Sequence, residues 1–230
     1  MAELLWNHWF CLGSVAPIMA GVTSAAPGLV EFVERLGGPE RAFMSLMIYI
    51  ICMVISIYSI LAIQRLRSEE SYLRAEILLA LPVSRLRFAM SHLLLSFAGA
   101  AAITGATGLT IGIGAALSTG VPGEFTRLFG ETVVKIPAVW VIAGIPALLY
   151  GLMPRAMAGI SYAALAVFIL LEFFWEQQAV SDAVFGLSAF AHVYPANEIT
   201  ALTIIGLSLV ALSFTVLGYL AFSKRDITSN

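Results

Sequence analysis

The sequence predicts an all-α, polytopic membrane protein with six transmembrane helices, and three observations carry that prediction. Of its 230 residues 60% are hydrophobic and only 11% charged, which is more apolar surface than one soluble core can hide. The apolar residues gather into six runs close to the length of about 20 residues that a helix needs to cross a bilayer. Between the second and third runs lies one long charged island, residues 64–92, which carries Arg65, Arg67, Glu69, Glu70, Arg74, Glu76, Arg85 and Arg87.

Taken in order, residues 4–22 are apolar but short, interrupted by Asn7 and His8 and bent by Pro17, so they read as a truncated first span. The acidic Glu3 stands where a leader would be basic, and a cleavable signal peptide is not expected. Residues 23–41 form a polar loop, and residues 42–63 a second span rich in Ile and Met. The third span, about 88–117, contains a GxxxG step at Gly108 and Gly112 that favours close helix packing. A loop over residues 118–131 leads to the fourth span, 132–153, where Pro137 and Pro146 are expected to kink the helix. Pro154 and Arg155 make a tight turn into the fifth span, 156–175. Residues 176–200 are too polar and broken to cross and read as an interfacial or re-entrant cap, and the sixth span is 201–222. The whole chain is thus one transmembrane domain, 1–230.

Inside the island, Ser68 can cap a helix with Glu69 and Glu70 in its first turn, and Glu70 and Arg74 can pair at i, i+4. Leu73, Ile77, Ala80 and Leu81 recur at helical spacing on another face, and Pro82 ends the segment. Residues 68–81 therefore read as an amphipathic helix lying along the membrane surface. Ser84 then caps the helix that rises into the third span.

Six spans place Arg65, Arg67, Arg74, Arg85, Arg87, Arg155, Lys224 and Arg225 on one side, against Arg35, Arg41, Arg127 and Lys135 on the other. By the positive-inside rule both termini and the island face the cytoplasm of a plasma-membrane protein. The formal net charge of −2 says little about partners, because the position of the charges matters more than their sum, and no nucleic-acid partner is expected. Cys11 and Cys52 lie in apolar runs as small core residues rather than as a disulfide or metal site.

The chain contains no GxxxxGK[ST] loop, no CxxC pair and no HExxH, so neither an intrinsic nucleotide site nor a zinc signature is expected. Glu69, Glu70 and Arg74 spell EExxxR, and Phe88 to His92 spell FxxxH, which are similar to two motifs of an intramembrane glutamate protease family. The pair lies in a basic surface segment, however, and no HxxxN or HxxxD follows, because Ala196 stands four residues after His192. Lys135 and Glu172 fall near the outer ends of their spans, where snorkelling to the interface competes with lining a substrate cavity. His192 is expected to make a structural hydrogen bond in the cap.

The run RLRSEESYLRAEILLALPVSRLRFAMSHLL resembles the cytoplasmic segment of ABC-type multidrug and polyketide-antibiotic exporter permeases. PAVWVIAGIPALLYGLMPR, LSAFAHVYP and the terminal FSKRDI are similar, in the same order, to runs of the C-terminal half in that family. The resemblance implies six helices per half, a coupling helix after the second and broken outer helices before the last. It implies that residues 68–81 dock into a separate ATP-binding subunit, with Glu69, Glu70, Arg74, Glu76 and Arg85 as contacts. ATP and Mg would then bind that partner, while this chain carries no cofactor, metal or catalytic residue. Members carry two such halves on one longer chain and this sequence matches the second; a split-gene subunit, a homodimerising half and a fragment all accommodate that.

The function expected is that of a non-enzymatic permease subunit moving hydrophobic or amphiphilic compounds outward through the bilayer, paired with a second permease half. Tyr58, Phe168 and Glu172, on the second and fifth spans, are the candidate pathway residues. The rivals are the glutamate protease and a membrane anchor that recruits a cytoplasmic protein through the same helix.

Overall fold

A computed structural model describes residues 33–34, 36–71, 85–176, 178–195, 197 and 199–223. Among them every regular element is helical. The long helices are α1 (Pro39–Ser71), α2 (Arg85–Thr119), α4 (Ile136–Leu152), α5 (Met157–Glu176) and α7 (Ala201–Ser223). The shorter α3 (Glu124–Val133) precedes α4, and α6 (Asp182–Phe185) lies in the cap with a 3-10 helix, Ala189–Val193. With α3 and α4 counted as one crossing, five segments are long and apolar enough to span a membrane. The expected first span, 4–22, lies outside the described residues.

The five expected spans from residue 42 onward match observed helices to within a few residues, apart from the C-terminal end of α1, which runs on to Ser71. Helix α1 continues through Ser68 to Ser71, so Ser68 lies inside a helix rather than capping a new one. No Gly or Pro interrupts residues 64–71, and nothing local stops the helix there. Residues 72–84, which include the greater part of the expected coupling helix 68–81, lie outside the described residues.

The larger correction concerns the expected loop over residues 118–131. Only Gly120 to Gly123 turn, with φ of +64° and +85° at the two glycines, values that favour residues without a Cβ. Residues from Glu124 onward form α3. Phe125, Leu128, Phe129 and Thr132 recur at i, i+3, i+4 and i+7, the spacing of a one-sided apolar face. That face lies on α2: a Cβ at Gly108 would sit 2.9 Å from the Thr132 Cβ, and one at Gly112 would sit 3.0 Å from the Phe125 ring. The GxxxG step thus packs helices within this chain. Pro137, expected to kink a span, instead stands in the first turn of α4, where its missing N–H costs nothing. Pro146 does lie inside α4.

Helix α4 is the axis of the bundle. It touches α1, α2, α5, α7 and the cap. Val139 and Ile142 are fully buried and join Ile48, Cys52 and Ile60 of α1 and Phe190 of the cap in one core. Its closest neighbour is α7. A Cβ on Gly151 would run into the Gly218 carbonyl oxygen, and one on Gly218 into the Ala147 carbonyl oxygen, while Gly144 faces Phe214 at 3.0 Å. Gly144 and Gly151, like Ala211 and Gly218, are seven residues apart, so each helix offers a groove of small residues to the other. Gly218→Val should therefore separate α4 from α7 and lower stability by about 3 kcal/mol or more, the upper range for overpacking. Gly206→Ala, on the open side of α7 with nothing within 4 Å, should leave the melting temperature in detergent unchanged or slightly raised.

Candidate functional site

Polar side chains of α1, α3 and α5, with Lys135 at the α3–α4 junction, meet at one end of the bundle, opposite the end that holds Arg65, Arg87 and Arg155. Arg41, Ser45 and Tyr49 stand four residues apart on α1 and form a single stripe. Each meets a carboxylate. Arg41 lies 3.9 Å from Glu124, Ser45 donates to Glu131 at 3.0 Å, and the Tyr49 hydroxyl donates to Glu172 at 3.0 Å. On α3, Arg127 reaches both ways, with its Nε 3.1 Å from the Glu124 carboxylate and its Nη1 3.4 Å from Glu131.

Lys135 completes the group and corrects an expectation. It does not snorkel: its side chain is fully buried between α3 and α4. Its ammonium donates to the Glu131 carbonyl oxygen at 3.0 Å and stands 3.5 Å from the Glu131 carboxylate. Burying a cation is costly unless it is paired and hydrogen-bonded, and Glu131 supplies both forms of partner. Ser45, Arg127 and Lys135 thus converge on one carboxylate, which joins α1 to α3 and α4.

Below the ladder, aromatic rings fill the space between α1, α5 and the cap. Tyr49, fully buried, meets Phe190 and Tyr194 edge-on with ring centres 5.6 and 5.4 Å away. Trp175 stacks on Phe185 at 4.3 Å and donates its indole N–H to Asp182 at 2.7 Å. His192 Nε2 lies 3.0 Å from the Gly186 carbonyl oxygen, the structural hydrogen bond expected of it. The segment expected as an irregular cap is therefore a packed plug, tied to α1 through Tyr49.

The candidate pathway residues do not form one surface. Glu172 belongs to the ladder, and Phe168 packs at the edge of the main core. Tyr58 is directed towards α2, where its hydroxyl lies 2.6 Å from the place a Cβ on Gly99 would occupy. Of the expected subunit contacts, Glu69 and Glu70 fall in the last turn of α1 and Arg85 opens α2, whereas Arg74 and Glu76 lie outside the described residues. Sequence reasoning missed Arg41, Ser45 and Tyr49, although their four-residue spacing was a usable signal. It also missed that Glu124, Arg127, Glu131 and Lys135 are spaced by three and four residues and so share a helix face. Among the described residues no cluster of His, Cys, Asp and Glu has the arrangement of a metal site.

A family model described as the C-terminal domain of the multidrug efflux system permease Rv1217c matches residues 5–223. The multidrug efflux system permease protein Rv1217c of Mycobacterium tuberculosis (strain ATCC 25618 / H37Rv) is 31% identical over 235 residues. That alignment takes in 97% of this chain and 43% of the relative, so the chain spans less than half the length of the protein it matches.

The ladder is testable by a double-mutant cycle. Lys135→Met alone leaves Glu131 inside the bundle without its ammonium, and Glu131→Gln alone leaves the buried ammonium without its charge partner. Each should destabilise by about 3–5 kcal/mol, read as detergent melting temperature and folded yield, and the double variant should recover a large part of that loss. Strict additivity would mean that the two groups are not coupled.

Proposed function

This chain belongs to the family of the multidrug efflux system permease C-terminal domain, and from that premise we propose that it is a membrane permease half of an ATP-driven exporter. It moves hydrophobic or amphiphilic compounds outward. The observation that carries the reading is the family match along almost the whole chain, residues 5–223.

In this reading a separate cytoplasmic ABC ATPase binds ATP and Mg and engages residues 68–81 through Glu69, Glu70, Arg74, Glu76 and Arg85. A second permease half completes the pathway, and both termini face the cytoplasm. Two features support the arrangement. Helices α1 and α2 have 33 and 35 residues, which at 1.5 Å per residue is about 50 Å, well beyond an apolar layer about 30 Å thick. The residues of α1 and α2 that extend beyond their apolar spans, 66–71 and 85–88, lie at the basic end, where a cytoplasmic partner would meet them. The opposite end is closed by the plug and braced by the ladder, as an outward seal would be in an inward-open or occluded state. In this reading Glu172 and Phe168 on α5 and Tyr58 on α1 remain the candidate pathway residues, although they do not share one surface.

The reading is checked by purifying the tagged protein from its native membrane in mild detergent and identifying what accompanies it by mass spectrometry. An ABC-type ATPase in stoichiometric amount is expected. Glu70→Ala with Arg74→Ala should lose that subunit and abolish drug efflux while membrane insertion stays normal. Recovery of no ATPase, under conditions that hold a known exporter together, would rule the exporter reading out.

A further inference from the structure

The chain reverses at the ladder end of α5 and comes back into the bundle. Gln178 takes a left-handed φ of +57°. Its N–H donates to the Trp175 carbonyl at 2.8 Å, and that of Ala179 to the Phe174 carbonyl at 2.9 Å, the pairing of a Schellman cap. Beyond this turn the cap does not rise away from α5. Phe185 stacks on Trp175, and Tyr194 lies 5.3 Å from the Trp175 ring and 5.4 Å from Tyr49. Tyr49 stands two helical turns along α1 from Arg41, about 12 Å deeper at 1.5 Å per residue. The cap residues that touch it therefore lie well below the level of the Arg41–Glu124 pair. Trp175 is the last residue of the apolar span of α5, at the boundary where tryptophan commonly sits between acyl chains and headgroups.

On this re-entrant stretch two large apolar side chains have no cover. Val184 is 40% exposed and Leu187 72%, although the ring of Phe185 between them is buried. Leu170, Phe173 and Phe174 of α5 are exposed as well and lead up to the same level.

The polar groups around Val184 and Leu187, by contrast, are bonded within the cap. The N–H groups of Val184 and Phe185 both reach the Ser181 carbonyl, and those of Gly186, Leu187 and Ser188 reach the carbonyls of Asp182, Val184 and Phe185. Asp182 accepts the Trp175 indole N–H, and the Gly186 carbonyl faces His192 Nε2. A turn bathed in water can leave such groups to the solvent, whereas one at the edge of an apolar layer has to satisfy them with protein. Closed polar atoms and bare apolar side chains, at the depth of the last turn of α5, suit a lipid neighbour.

We propose that the Val184–Leu187 turn is a lipid contact: its two apolar side chains dip beneath the phospholipid headgroups of the leaflet at the ladder end, against the upper acyl chains, and hold the plug at its depth. Phe185, set between them, carries the contact inward to Trp175 and Tyr194. The inference does not rest on the exporter reading.

The test uses the full chain, purified with whatever accompanies it and reconstituted in phosphatidylcholine vesicles. Cys11→Ala and Cys52→Ala remove the natural thiols, and the resulting variant gives the background. The fluorophore NBD is attached at Leu187→Cys, at Val184→Cys and at Thr119→Cys, an exposed position beside the Gly120–Gly123 turn. Phosphatidylcholine spin-labelled near the top of its acyl chain should quench the fluorophore at 184 and 187 at least about threefold more than at 119, and dissolved iodide should show the reverse order. Lipid quenching at 187 no stronger than at 119 overturns the proposal. Strong iodide quenching at 187 would then mean that the turn faces water, and protection from iodide that protein covers it, as a second copy or another permease half would.

Discussion

The crossing of α4 and α7, where backbone meets backbone at Gly151 and Gly218, is the contact on which the rest of the bundle depends. Helices in lipid gain little from hiding apolar side chains, because the surrounding solvent is apolar too. Close approach replaces that driving force, since it lets dispersion act over two backbones at once. The glycines fix not only the distance between the helices but the rotation of α4 about its axis. Once Gly144, Ala147 and Gly151 face α7, Val139 and Ile142 are left to face α1 and the cap, and Trp140 to reach the Phe97 carbonyl on α2 at 3.1 Å.

That rotation also brings the Lys135 side chain to lie inside the bundle. An ammonium there is tolerable only beside a carboxylate, and Glu131, one turn earlier, is placed to supply it. Glu131 in turn is the acceptor for Ser45, so a requirement that begins with one buried cation ends by tying α1 to α3. Arg127 bridges Glu131 to Glu124, and Arg41 approaches Glu124 from α1. The ladder is best understood as a chain of mutual compensation. It specifies how α1, α3 and α4 sit together more than it adds to total stability.

Much of the fold was legible because it depends on properties that sequence displays directly. Runs of apolar residues located α1, α2, α4, α5 and α7 to within a few residues of their membrane-crossing parts, since span length is set by the bilayer and not by neighbours. Residues 118–131 were misread because Glu124, Arg127 and Glu131 made the stretch look solvated. Their charges are paired mainly with one another and with Lys135 at i, i+3 and i, i+4, and Arg41 and Ser45 on α1, some eighty residues away in sequence, complete the group. Lys135 was misplaced for the same reason: its depth depends on how α4 is turned, which the α4–α7 contact decides. The Gly144 and Gly151 groove escaped notice because its spacing is seven rather than the four of the GxxxG step at Gly108 and Gly112. The site was less legible than the fold, because Arg41, Ser45 and Tyr49 acquire meaning only when three other helices arrive.

The two ends of the molecule differ in how strongly they are held, and this has a mechanical consequence. At the ladder end, α1 is joined to α3 by an ion pair and a hydrogen bond, and to α5 and the cap by Tyr49. At the basic end Ile63, Ala89, Leu93, Tyr150 and Met157 form an apolar cluster among α1, α2, α4 and α5. Apolar contacts are non-directional and can slide with little loss, whereas a hydrogen bond in a dry setting is lost outright when its geometry fails. The Tyr49–Glu172 bond is thus the polar link that any movement of α1 against α5 at the ladder end has to break.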